Sequence, residues 1–138
     1  MNPDRNKQIA DALGAQTYEN WEPSQATHYL MANHRRVVLD SVVLYESWQE
    51  EGNNEVYVGT DFPDFSLPEW QIKIQEKVRK GWKSGEVIHR YEPETGLHGI
   101  EFWLGMVARC KRTVFGEDSQ VVYEDALIWQ AKQKAGKG

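Results

Sequence analysis

From His98 to Cys110, every second residue between the two ends is apolar: Ile100, Phe102, Leu104, Met106 and Ala108. Alternation with a period of two predicts a strand with one buried face. The whole of 96–113, GLHGIEFWLGMVARCKRT, reads as one long strand opened by a histidine and closed by a cysteine. Upstream the period changes. In SLPEWQIKIQEKVRKGWKSG the apolar residues Leu67, Trp70, Ile74, Val78 and Trp82 recur at helical spacing and predict an amphipathic helix over 66–84. Ser66 and Glu69 match the S-x-x-E capping box, Pro68 falls in the first turn where its missing N–H costs nothing, and Gly85 supplies the exit.

The same reasoning places a first helix from Pro3, capped by Asn2 and stopped at Gly14, with Ile9 and Leu13 on one face. A second short helix is expected over PSQATHYLMAN, with Ala26, Tyr29, Leu30 and Asn33 on a shared side. Residues 36–48 carry two signals. Val37, Ser41, Leu44 and Trp48 fit a helix face, while valine-rich composition favours a strand. The EEGNN that follows, and then EVYVGT, favour a hairpin. After the 66–84 helix come EVIHRY, a turn in EPETG, the long strand, a turn in FGEDSQ, and a last strand in VVYEDALIWQAK.

The fold expected is α+β: N-terminal helices plus a curved antiparallel sheet of about five strands, with the 66–84 helix between the first hairpin and the last three strands. In element order and length this resembles the nuclear-transport-factor-like cone, a curved sheet wrapped around helices with a cavity inside. One domain over 1–131 is expected, followed by a flexible basic tail, 132–138, containing Lys132, Lys134 and Lys137.

Turn centres set the strand registers. A turn at Glu94 and Thr95 puts Tyr91 opposite His98, His89 opposite Ile100 and Val87 opposite Phe102. A turn near Asp118 puts Arg112 opposite Tyr123, Cys110 opposite Asp125 and Met106 opposite Trp129. Polar groups then collect at two ends of an apolar face: His89, Tyr91 and His98 at one, Arg112, Tyr123 and Asp125 at the other. On this register His89 and Asp125 stand roughly 33 Å apart, at about 3.3 Å per residue, and form no general-base dyad.

Composition narrows the function classes. The net charge of −5 argues against a nucleic-acid binder, which needs a concentrated basic surface. One cysteine forbids an internal disulfide, and neither a signal-peptide pattern nor a membrane-length apolar run is present, so a cytoplasmic protein away from the membrane is expected. Six Trp and six Tyr in 138 residues raise the weight of binding, since aromatics are enriched at contact surfaces. Nucleotide-loop, nucleophile-elbow and metal-hydrolase motifs are missing from the sequence, and no cofactor or metal is expected. Lys73, Lys77, Lys80 and Lys83 read as a solvated helix face laced with Glu69 and Glu76, and Cys110 as a small buried apolar residue.

The first functional expectation is therefore a non-catalytic binding protein, with a protein partner or a second copy of the chain as its ligand. It would act through Trp103 on the outer sheet face and the aromatic loop of Phe62 and Phe65, with Arg112, Tyr123 and Asp125 as a polar clamp. The alternative is a small-molecule enzyme, or a protein holding a small apolar ligand, with its pocket at the His89, Tyr91 and His98 end. A third reading is an acidic inhibitor of a basic partner.

Overall fold

The computed structural model describes residues 3–19, 31–50 and 55–136. The chain is α+β, with three helices and two antiparallel sheets among the described residues. It divides into two compact units, Met1–Pro63 and Asp64–Gly138.

The N-terminal unit begins with helix α1 (Pro3–Leu13), whose Ile9, Ala10 and Leu13 are buried. Gly14 ends it at φ 103°, a conformation that glycine adopts without a Cβ penalty. Strands β1 (Gln16–Glu19), β2 (Met31–Leu39), β3 (Val42–Glu50) and β4 (Tyr57–Thr60) follow, in spatial order β1-β2-β3-β4. The segment with two signals, 36–48, is itself a hairpin. Asp40 and Ser41 both take positive φ, 49° and 69°, as a two-residue turn demands. No glycine marks that turn, and the turn expected at EEGNN includes residues 51–54, outside the described residues. Of the helix expected over 23–33, residues 23–30 also lie outside the described residues, while Met31, Ala32 and Asn33 open β2.

The C-terminal unit runs α2 (Pro68–Gly81), β5 (Val87–Glu92), β6 (Leu97–Leu104), β7 (Arg109–Gly116) and α3 (Ser119–Gly136), with its strands in order β5-β6-β7. The register expected for the first hairpin is the one found: Tyr91 opposite His98, His89 opposite Ile100, Val87 opposite Phe102. The long strand is corrected to two. Residues 105–108 turn the chain, with Ala108 at φ 47° and Met106 fully exposed, and β7 folds back so that Phe102 faces Arg112 and Ile100 faces Val114.

The last strand is corrected to a helix. Val122, Tyr123, Ala126, Leu127 and Gln130 are buried, at steps that suit a helix face and not a strand. The pairing of Arg112, Cys110 and Met106 with residues 123–129 therefore does not exist. Among the described residues the strands form two sheets, and α3 follows β7. That helix extends through Gly136 and so takes in most of the segment expected as a tail.

Ile100 and Phe102 of β6, Ile74 and Val78 of α2, and Val122, Ala126 and Leu127 of α3 form the core of this unit, all essentially inaccessible to water. Phe102 meets Trp82 edge-on at 5.1 Å and Trp129 at 4.8 Å. Two buried glutamines cross between the helices: Gln71 Nε2 donates to Glu124 at 3.1 Å, and Gln130 Nε2 to the Val78 carbonyl at 2.8 Å. The capping box is not formed. Leu67 occupies the N-cap, and Ser66 bonds Asp64 through its amide and hydroxyl. At Gly85 a Cβ would stand 2.0 Å from the Trp103 carbonyl oxygen, so only glycine fits there.

Candidate functional site

The β5–β6 hairpin carries chemistry on both faces. On the face shared with Ile100 and Phe102, strand alternation sets His89, Tyr91 and His98 side by side. His89 Nε2 lies 3.0 Å from His98 Nδ1, and the Tyr91 ring packs on His98 with centroids 4.7 Å apart. Tyr123 reaches the same place from α3. Its hydroxyl lies 3.4 Å from His89 Nδ1 and accepts a hydrogen bond from Arg79 Nη2 of α2 at 3.0 Å.

The first bond of this chain has a fixed direction, and one protonation pattern extends it to His98. Arg79 can only donate, so the Tyr123 proton is free to point to His89 Nδ1. His89 then carries its proton on Nε2 and gives that bond to His98 Nδ1, which leaves the His98 proton on Nε2. With the Tyr123 hydroxyl as donor both imidazoles carry their proton on Nε2, and the chain Arg79, Tyr123, His89, His98 ends on an N–H that no described residue accepts. With Tyr123 accepting from both sides the tautomers reverse at the same distances. The loss of water around the His89 ring, then His98 and the Arg79 charge, hold its pKa below the ordinary 6.5. His89 is exposed as a residue, with its ring flanked by those of His98 and Tyr123.

Along the edge of β5 and over the opposite sheet face runs a groove of about 680 Å³, bordered by His89 and Tyr91 as well as Arg90, Gly99, Glu101 and Phe115. Arg90 Nε donates to Glu101 Oε1 at 2.8 Å, and Trp103 Nε1 donates to the same oxygen at 2.9 Å. Partial burial pushes the Glu101 carboxyl up, but the bonds from Arg90 and Trp103 outweigh it, and the group stays ionised below the usual range. The Glu101 bond and charge raise Arg90 in turn.

The sequence-predicted residues are distributed unevenly. His89, Tyr91 and His98 are together. Tyr123 joins them, whereas the strand register had set it at the far end with Arg112 and Asp125. Arg112 is exposed on β7 opposite Phe102, and Asp125 is half-buried on α3. The 33 Å separation of His89 from Asp125 falls with the register on which it rested. Trp103 is half-buried on the face of Glu101, with its N–H engaged. Phe65 is core, 3% exposed and edge-on to Trp70, and Phe62 stacks on Tyr45 at 4.8 Å. Cys110 is half-buried beside Thr113.

Sequence reasoning missed Arg79, which hides in a basic helix face, and the Gly99–Phe115 pair, which depends on where β6 ends. Among the described residues no three His, Cys, Asp or Glu side chains group as metal ligands, and no helix is long and apolar enough to cross a membrane.

No known protein family and no solved structure matches the chain. Over 74 residues, 53% of its length, it is 30% identical to proteins named 5′-nucleotidase SurE from two strains of Caulobacter vibrioides. The matched stretch spans 27% of those relatives, so the likeness is to a part of an enzyme.

Proposed function

We propose that the chain binds a small phosphate-bearing molecule at the β5–β6 hairpin and that the histidine pair moves a proton to it. The observation that carries this reading is the run of contacts from Arg79 through Tyr123 and His89 to His98, and the reading takes Tyr123 as the donor to His89. A proton leaving His98 Nε2 is replaced at Nδ1 from His89 Nε2, and His89 is refilled at Nδ1 from the Tyr123 hydroxyl. Each bond passes one proton, and the negative charge comes to rest on the Tyr123 oxygen, beside the Arg79 guanidinium that stabilises it. His98 is the terminal general acid, and Tyr123 and Arg79 are positioning residues. The likeness to proteins named 5′-nucleotidase supports a phosphate ester as the substrate class.

Phosphate release from adenosine 5′-monophosphate by the purified full chain tests the reading. His98→Gln is expected to lower the rate on the order of a hundredfold, as loss of a general acid does, while the unfolding midpoint holds. Turnover that survives His98→Gln, or no release above buffer, defeats it.

A second reading has its own observation. Phe115 of β7, on the sheet face of Gly99, is 64% exposed, a large ring that supports a protein partner or a second copy of the chain on that face. Mass by light scattering for wild type and Phe115→Ser decides it: a dimer that the substitution dissociates is the expected result, and a monomer in both removes the dimer. A cytoplasmic site of action belongs to both readings.

A further inference from the structure

We propose that the tip of the β6–β7 hairpin, residues 105–108, docks the protein onto an anionic lipid surface. Met106 and Val107 enter the interface, and the basic side chains around them meet the headgroups. This surface stands apart from the histidine pair. His98 and Leu104 are the second and last residues of β6, roughly 20 Å apart at about 3.3 Å per residue.

The apolar half of the inference is Met106, 100% exposed, and Val107, 64% exposed. Single exposed apolar side chains are ordinary, but these two are adjacent and stand at the apex of a hairpin. Contacts at the base hold the tip in place. Ala108 takes φ 47°, which turns the chain there. The Gly105 N–H donates to the Ser84 carbonyl at 2.8 Å, and Trp82 Nε1 donates to the Trp103 carbonyl at 2.8 Å. The backbone of Gly85 passes directly against Trp103, so the segment 82–85 braces the hairpin where the tip begins.

The charge half surrounds the tip. Between Glu101 and Glu117 the chain holds no acidic residue, while Arg109, Lys111 and Arg112 are all exposed. Lys111 is the extra residue of the β-bulge between the Trp103–Cys110 and Phe102–Arg112 pairs. All three charges fall in the first half of β7, within roughly 10 Å along the strand. Lys83, next to Ser84, adds a fourth, and exposed Lys134 of α3 borders the same hollow as Lys83. Glu101 is engaged by Arg90, and Glu86, whose carbonyl bonds the Trp103 N–H, offsets one of the five. In a chain of net charge −5, this end is basic.

Size and chemistry choose the partner. A stable protein interface takes about 800 Å² from each side, far more than two aliphatic side chains supply. Nucleic acid would meet the charges, but Met106 and Val107 offer a base no aromatic face to stack on. A bilayer surface asks for this combination: apolar side chains entering about 5–10 Å while basic groups attract anionic headgroups. Such a contact needs no spanning helix, and among the described residues no helix is long and apolar enough to be one.

The test is co-flotation of the full chain with vesicles of phosphatidylcholine and phosphatidylserine in equal parts, against phosphatidylcholine alone. Binding to the mixed vesicles only is expected, weakened by added salt because the attraction is screened. Met106→Asp with Val107→Asp, and separately Arg109→Gln with Lys111→Gln, should each lower the partition coefficient at least about tenfold. Met106→Leu, which keeps the apolar tip, should bind as wild type does. All these side chains are exposed, so the unfolding midpoints should hold. No binding to the mixed vesicles overturns the inference. Binding that is lost with the charges but indifferent to the two aspartates overturns it too, since the tip then enters nothing. Tighter binding to a DNA duplex than to vesicles, again indifferent to the aspartates, overturns it in favour of nucleic acid.

Discussion

Two histidines on two sheets take opposite positions. His34 on β2 is 5% exposed, and its Nε2 lies 2.8 Å from Glu46 Oε2, with Arg36 Nε 3.7 Å from the same oxygen. His89 on β5 has no carboxylate within bonding distance among the described residues. Its partners are a second imidazole and a phenol, and a guanidinium stands behind the phenol. A buried imidazole bonded to a half-buried carboxylate on the neighbouring strand fixes a sheet, because the pair ties two strands together. An imidazole fed by a donor must hand its own proton onward. The contrast lies at the far end of each hydrogen-bond chain, a half-buried carboxylate on the neighbouring strand for His34 and a second imidazole for His89.

The largest effect that sharpens this contrast is on stability. His34→Ala removes a buried ring and a bond to a carboxylate, and is expected to cost about 2–4 kcal/mol in urea unfolding. His89→Ala should cost less than about 1 kcal/mol, since the side chain is at an exposed strand edge. Equal costs would erase the distinction. Next in size is Tyr123→Phe, which deletes the hydroxyl between Arg79 and His89 at about 1 kcal/mol. Its diagnostic readout is the imidazole ¹⁵N spectrum. Wild type should show both His89 and His98 protonated on Nε2, and the variant a mixture of tautomers. Unchanged tautomers in Tyr123→Phe would mean that Arg79 and Tyr123 do not set the direction.

How much of this was legible beforehand depends on where the chain turns. EPETG announces its turn, so the register that joins His89, Tyr91 and His98 follows from alternation alone. Residues 105–108, GMVA, carry no turn residue except Gly105 and continue the alternation of β6, so β7 reads as the same strand. Arg112 was paired with Tyr123, and Gly99 with nothing, when Phe115 is its partner. VVYEDALIWQAK has residues that suit either period. Its helical state is decided by packing against α2 and the sheet, a tertiary fact that local propensity does not contain. Arg79 is one of several basic residues on α2, and nothing local distinguishes the one that meets a phenol.

The smallest effect is the pH dependence of stability, and its sign separates the two faces of the comparison. His89 in the folded chain titrates below its ordinary value near 6.5, first because its ring has lost water and then because His98 and Arg79 oppose a further positive charge. The unfolded chain therefore binds the proton more readily. Above about pH 6.5 the ring is neutral in both states and the folded chain loses nothing. As pH falls from there toward the lowered folded value, the unfolded state gains a proton that the folded state resists, and stability declines. Thermal unfolding of wild type and His89→Gln at pH 7.5 and pH 5.5 isolates the contribution. The wild-type midpoint should drop further than that of the variant, by a small margin because the site is partly open to water. If the variant drops as far as the wild type, His89 resists no proton, and the donor-fed chain does not hold it neutral.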